Sequence, residues 1–314
     1  MSFNISMVTD DLHADDLLHK GHLDYCLRLA VQAGVDPVRA VQMLSINTAR
    51  YFGLKRRGAV APGYRADCVL LNDLETAAIE TVFLQGRAVL EADFQTPSTA
   101  LPLHSCSLGS VTADRFAIPA PHPPQKARCL ELIPGQILTK TRLVQPAIRS
   151  GLALPDPQQD LAKLAVLERH QGTGNIGLGF VCGLGLQDGA LASTVAHDSH
   201  NLILAGMNDA DLLLAAETIQ TMQGGCVAVR QGEVLAALPL PIAGLMSDLA
   251  LSGVVGRLSE LNQAAARLGC PPTINPFMLL SFLALPVIPE LRLTDQGLVD
   301  VQRFDFVPLW TDAA

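Results

Sequence analysis

Residues 8–24, VTDDLHADDLLHKGHLD, place five carboxylates (Asp10, Asp11, Asp15, Asp16, Asp24) and three imidazoles (His13, His19, His22) within seventeen positions. These are the side chains that bind divalent metals and move protons near neutral pH. Asp10 and Asp11 fall where a short apolar run, FNISMVT (3–9), hands over to a loop. β/α barrels set catalytic groups at that edge, and a carboxylate there can hold a metal and take the proton of an attacking water. The same acids also read as the decoration of a helix start, because Asp15 and Asp16 would complement the positive end of a helix dipole. His19 and His22, three apart, could face solvent together as readily as they could ligate. No H-E-x-x-H helix and no H-x-E with P-C-x-x-C arrangement occurs, which excludes those two zinc chemistries.

Two later stretches also carry chemistry. In ERHQGTGNIGLGFVCG (168–183), Glu168, Arg169 and His170 precede five glycines. Glycines allow close backbone approach to a ligand or to another strand, and both readings stay open. The spacing is not that of a dinucleotide fingerprint, and no phosphate-loop lysine follows. STVAHDSHN (193–201) sets His197, Asp198, His200 and Asn201 between two apolar runs. Burying such groups without partners would cost several kcal/mol, so they must bond a metal, a polar substrate or one another. A fourth stretch, LPLPIAGLMSD (238–248), reads only as an extended segment before a helix.

The elements that position these residues follow from periodicity. FNISMVT reads as a buried strand. The polar stretch after it turns into an amphipathic helix with Leu23, Leu27, Ala30 and Val31 on its apolar face, stopped by Gly34. Asp36 and Pro37 open a second helix that ends at Gly53. From Gly58 short Val/Leu runs alternate with turns, as in a small β-sandwich. Prolines at 97, 102, 119, 121, 123 and 124 mark a surface linker, and PDPQQD (155–160) a second break. Beyond 161 strands and helices mix: strands at LAVLER, ALASTVAH and NLILAG, a helix after Asn208, a hairpin over GGCVAVRQGEVLAALPL, and helices over roughly 242–268.

The chain has 314 residues, 49% hydrophobic and 17% charged, with a formal charge of −8. It can bury more than one core. No basic footprint suggests nucleic acid. Seven scattered cysteines without a C-x-x-C pair point to a reducing, cytoplasmic setting. FMLLSFLALPVIP (277–289) is too short to span a bilayer, and no secretion signal is evident, so no membrane is expected.

TDDLHADDLLHKGHLD, GVDPVRAVQMLSINTARYFGL, GAVAPGYRADCVLLNDL, ERHQGTGNIGLGFVCGLGLQDGALASTVAHDSHNLILAGMND and LPLPIAGLMSD, in this order, resemble adenine deaminases of the amidohydrolase superfamily, over nearly all of the chain except 95–130. The resemblance implies an α/β remnant of a metal-dependent β/α barrel (1–57, its last strand and helices), a β-sandwich module (58–95), a Pro-rich linker with connecting strands (96–160) and a C-terminal α+β domain (161–314). It implies hydrolysis of adenine to hypoxanthine and ammonia by metal-activated water, with a binuclear centre of Mn or Fe. Asp10 matches the family's metal ligand and proton shuttle, and Asp11 the adjoining acid. Glu168, His170, His197, Asp198, His200 and Asn201 are expected to bind substrate or support the pocket. The family's other ligands, an H-x-H pair, a bridging acid and two histidines, have no counterpart in these residues. The chain is therefore expected to need an N-terminal barrel half, or to form a homo-oligomer. The alternative is a non-catalytic fragment that binds a purine or serves in assembly.

Overall fold

Asp36 and Pro37 do open a helix: the Asp36 carboxylate accepts from the Arg39 backbone N–H at 3.0 Å, and Pro37 occupies the first turn, where a missing donor costs nothing. The computed structural model describes residues 4–90 and 104–311, in two units divided between residues 100 and 101. The first unit has four short helices, α1 (Ala14–His19), α2 (Leu23–Gln32), α3 (Pro37–Leu44) and α4 (Ile46–Tyr51), then a three-stranded antiparallel sheet of β1 (Cys68–Leu71), β2 (Ile79–Leu84) and β3 (Arg87–Ala88).

Three expectations for this unit need correction. Residues 5–9 form no strand: a strand requires a ladder partner, and among the described residues this run's backbone pairs through Met7 N–H to the Met43 carbonyl, 3.2 Å. The loaded loop contains a helix of its own, α1, and Gly21 (φ +100°) breaks the chain between His19 and His22, so these two are not neighbours on one helix. The helix opened by Pro37 is interrupted at Ser45, whose hydroxyl bonds back to the Val41 carbonyl at 2.6 Å. Little of the unit is covered. Leu27, Ala40 and Ala77 form its buried cluster, and all three strands carry exposed positions.

The second unit is built on one large mixed sheet. Its strands are β4 (Ile118–Pro119), β5 (Ala127–Leu132), β6 (Thr139–Val144), β7 (Ala147–Arg149), β8 (Leu152–Leu154), β9 (Leu161–Leu167), β10 (Ile176–Cys182), β11 (Ala190–Ser193) and β12 (Leu202–Gly206), followed by α5 (Asp209–Met222), β13 (Gly225–Arg230), β14 (Glu233–Pro239), α6 (Leu251–Arg267), α7 (Pro276–Leu283), β15 (Leu291–Thr294), β16 (Gly297–Asp300) and β17 (Asp305–Val307). Eight strands hydrogen-bond in the order β14-β13-β11-β12-β9-β10-β5-β6, with β15-β16-β17 and β4-β8-β7 as small separate sheets. All pairs in the large sheet are antiparallel except β5 with β10.

Side chains alternate across this sheet with period two. Ala162, Leu164 and Val166 of β9 face one core with α6, α7 and β15–β16, while Ala165 and Leu167 face another with α5. All seven β9 residues are buried. Such a strand reads as a continuous apolar run, and LAKLAVL does, apart from Lys163. Lys163 is buried on the α5 face and bonds the Phe116 carbonyl at 3.0 Å and the carboxylate of Asp209 in the first turn of α5. The proline-rich stretch is not all surface. Residues 91–103 of it, with Pro97 and Pro102, lie outside the described residues; beyond them Cys106, Leu108, Phe116 and Ile118 are buried. At the outer margin of β6, the Thr139 N–H bonds the Pro289 carbonyl, the Thr139 carbonyl accepts from Glu290 N–H, and Thr141 N–H bonds the Glu290 carboxylate at 2.9 Å.

Candidate functional site

In the first unit, the chemistry divides between helix support and one exposed turn. Asp16 pairs with Lys20 at 2.8 Å and Asp24 with Arg28 at 2.8 Å, each one turn apart along a helix. Burial alone would raise the Asp24 pKa, but the His22 backbone N–H and Arg28 outweigh it and hold the carboxyl below its ordinary value. Asp15 lies in the first turn of α1. Asp10 is exposed, with φ +53°, at the corner where the chain turns toward α1, and Asp11 follows it, also exposed. His22 Nε2 lies 3.3 Å from the Thr9 hydroxyl, which ties one imidazole to this corner. Among the described residues no three His, Cys, Asp or Glu side chains come together to hold a metal ion. The donors present therefore do not make a cage for a divalent ion, and Asp10 can be one arm of such a cage at most.

In the second unit, the two later motifs come together. Arg169 is 1% exposed and gathers three segments: Nε donates to the His200 carbonyl, one terminal nitrogen to the Ser105 carbonyl and the other to the Ala243 carbonyl at 3.0 Å. Its own N–H reaches Asn201 Oδ1 at 3.4 Å. His170 Nε2 meets the Ser199 carbonyl at 2.8 Å. The His197 ring stacks at a tilt on Phe282, centroids 4.8 Å apart, and edge-on to His200 at 5.5 Å. His200 has φ +51°, and its Nδ1 is buried without a partner. Burial first, then the His197 and Arg169 charges, push the His200 pKa down, so the ring is neutral at pH 7.

Glu168 closes the glycine loop. Its carboxylate accepts from the N–H groups of His170 (2.5 Å), Gln171 (2.9 Å) and Thr173 (3.1 Å), and from the Thr173 hydroxyl (3.1 Å). Burial would raise its pKa, yet these four donors hold it below the ordinary value. Gly172 is glycine for a local reason: a Cβ there would lie 2.9 Å from the Ser107 hydroxyl, and the loop lies back to back with residues 107–109.

Sequence reasoning missed the residues beside this cluster. Asn201, 4% exposed, donates to Asp295 Oδ1 at 3.2 Å. Asp295 opens into a cavity of about 490 Å³, lined also by Asp198, Leu285, Val299, Phe304 and Phe306. The only signal for these positions is the hairpin turn TDQG, which marks geometry rather than chemistry.

Comparison with known proteins accords with this two-part layout. Residues 1–89 match the amidohydrolase family. Residues 136–305, more than half of the chain, match the Adenine deaminase C-terminal domain, and the chain belongs to that family. It is 54% identical over 308 residues to the adenine deaminase of Oleidesulfovibrio alaskensis, covering 98% of this chain and 54% of the relative. It is 48% identical to that of Desulfatibacillum aliphaticivorans, covering 98% and 54%, and 45% identical to adenine deaminase 2 of Carboxydothermus hydrogenoformans, covering 96% and 54%. The chain thus spans about half the length of the curated relatives it matches. No described helix is long and apolar enough to cross a membrane.

Proposed function

We propose that this chain is one portion of an adenine deaminase, in which water replaces the exocyclic amine of adenine to give hypoxanthine and ammonia. The observation that carries this reading is the match to proteins of that name along 98% of the chain at 54% identity. Asp10 is the residue proposed to act on the reacting atoms: its carboxylate accepts a proton from the attacking water and can return it to the departing ammonia. The divalent ion implied by the amidohydrolase match, Mn or Fe, would need donors beyond the described ones, with Asp10 as the single ligand given by this chain. Asp11 adjoins it. Glu168, His170, His197, Asp198, His200 and Asn201 act as pocket support: Glu168 and His170 fix the glycine loop, and His197 and Asn201 fix residues 197–201, with Asp198 and His200, against α7 and Asp295.

Further polypeptide is proposed to complete the site. Val8, Tyr51, Phe52, Val60 and Leu90 are each more than half exposed in the first unit. A groove of about 550 Å³ in the same unit is lined by Leu27, Val41, Leu44, Val60, Val69 and Leu71. Apolar surface on this scale marks a contact face.

The test is ammonia release from adenine with Mn(II), by the 314-residue chain alone and by the chain joined to the remaining length that its relatives carry. Turnover is expected from the joined protein only, and Asp10→Asn is expected to lower kcat by at least about 10³-fold with unchanged Tm. Turnover by the chain alone would overturn the need for a second portion. An unchanged rate in the Asp10 variant would remove that residue from the chemistry.

A further inference from the structure

The cavity beside Asn201 has a definite chemistry. Its floor is apolar: Ala284, Leu285 and Val299 are nearly buried there. Phe304 and Phe306 stand at its side two residues apart, 75% and 55% exposed, one at the end of a left-handed turn (φ +52°) and the other on β17. Leaving two phenyl rings this exposed to water is unfavourable, and a flat partner would cover them. The polar lining comprises Asp198, Asp295 and Asp305 with Ser199, Thr294 and Gln296, and among the described residues no lysine, arginine or histidine lines it. Asp295 is aimed by a buried relay: Arg169 N–H holds Asn201 Oδ1, and Asn201 Nδ2 holds Asp295 Oδ1. One carboxylate oxygen is thereby fixed, and the other has no hydrogen bond among the described residues. The volume, about 490 Å³, lies in the range of sites for small molecules.

We propose that this cavity is a binding site for a flat heterocycle bearing an exocyclic amine, an aminopurine, with its ring against Phe304 and Phe306 and its amine donating to Asp295. Three carboxylates and no cation set the charge of the rim, which therefore favours a donor at Asp295. Adenine offers two N–H groups at its amine, whereas hypoxanthine puts a carbonyl oxygen at the same position, facing a carboxylate. The site therefore separates amine-bearing purine from its deaminated product. The choice of a purine over other aromatic amines rests on the adenine-directed reading above, while the need for a flat amine donor rests on the cavity alone.

The test is equilibrium binding of adenine and hypoxanthine to the full 314-residue chain without added metal, by calorimetry, with amide exchange to locate the protection. Expected are saturable adenine binding, at least tenfold weaker hypoxanthine binding, and protection over 284–306. Asp295→Asn and Phe306→Ala are each expected to weaken adenine binding about tenfold with Tm unchanged. Equal affinity for the two purines, absence of saturable binding, displacement of adenine by arginine at equal concentration, or full affinity in both variants would each overturn the proposal. Because the assay needs neither turnover nor a second polypeptide, its failure is separable from failure of the deaminase reading. A joined protein that deaminates adenine while this chain fails to bind it would sink only the present inference.

Discussion

Arg169 sends three donors to three carbonyls, at Ser105, His200 and Ala243, that lie far apart in the chain. Replacing it with methionine keeps the volume and leaves three buried carbonyls without donors, a cost of about 3 kcal/mol or more; urea unfolding of Arg169→Met measures it. His200 makes a pH prediction. Its folded pKa lies below the unfolded value of about 6.5, so the stability it contributes is present above about pH 6.5 and declines as pH falls below it. The urea midpoint should therefore drop between about pH 7 and pH 5, and His200→Asn, which suits the left-handed backbone at this position, should flatten the drop. The motif around 197–201 was legible in the sequence because polar residues between apolar runs demand partners. The partners were not: Arg169 and Asp295 reach it only through the folded sheet.

At the level of elements, α5 and α3 were readable from their caps. Asn208 accepts from the Asp211 N–H at 2.8 Å, where the sequence placed the start of the helix. Residues 5–9 form no strand although their composition reads as one: period and composition identify a strand's faces but not whether a neighbour exists. The glycines of GNIGLGF illustrate the same limit. Gly177 and Gly179 lie on one face of β10, and a Cβ on Gly177 would sit 1.9 Å from the Thr294 carbonyl oxygen. Gly177 admits the β15–β16 hairpin, a purpose that the spacing alone left open against a ligand loop. Gly177→Ala should cost about 3 kcal/mol, as overpacking against backbone does, read as a fall in the urea midpoint, while Gly256→Ala, with open space around it, should raise the midpoint slightly.

For the whole molecule, the two units differ in how much they bury. Two extensive cores flank the large sheet, whereas the first unit closes around Leu27, Ala40 and Ala77. Hydrogen exchange of the 314-residue chain should show β1–β3 amides exchanging about 100-fold or more faster than those of β9. Equal protection would mean that the first unit is sufficient to itself, against the proposal that further polypeptide covers it. Composition indicated that a large core exists, but its division between units depends on which apolar faces find partners.

The margin of β6 carries one more consequence. Its outward-facing donors at Thr139 and Thr141 are already occupied by the Pro289–Glu290 segment, and Lys140 and Arg142 stand exposed along it. A neighbouring molecule thus finds the rungs at Thr139 and Thr141 taken, and meets Lys140 as a cation that repels its own duplicate beside Arg142, which pairs with Glu131 at 3.6 Å. Trimming Glu290 to alanine would release the rung at Thr141, and strong salt would mute the repulsion. Together these are the conditions under which concentrated stocks should turn cloudy, while the unaltered chain stays clear.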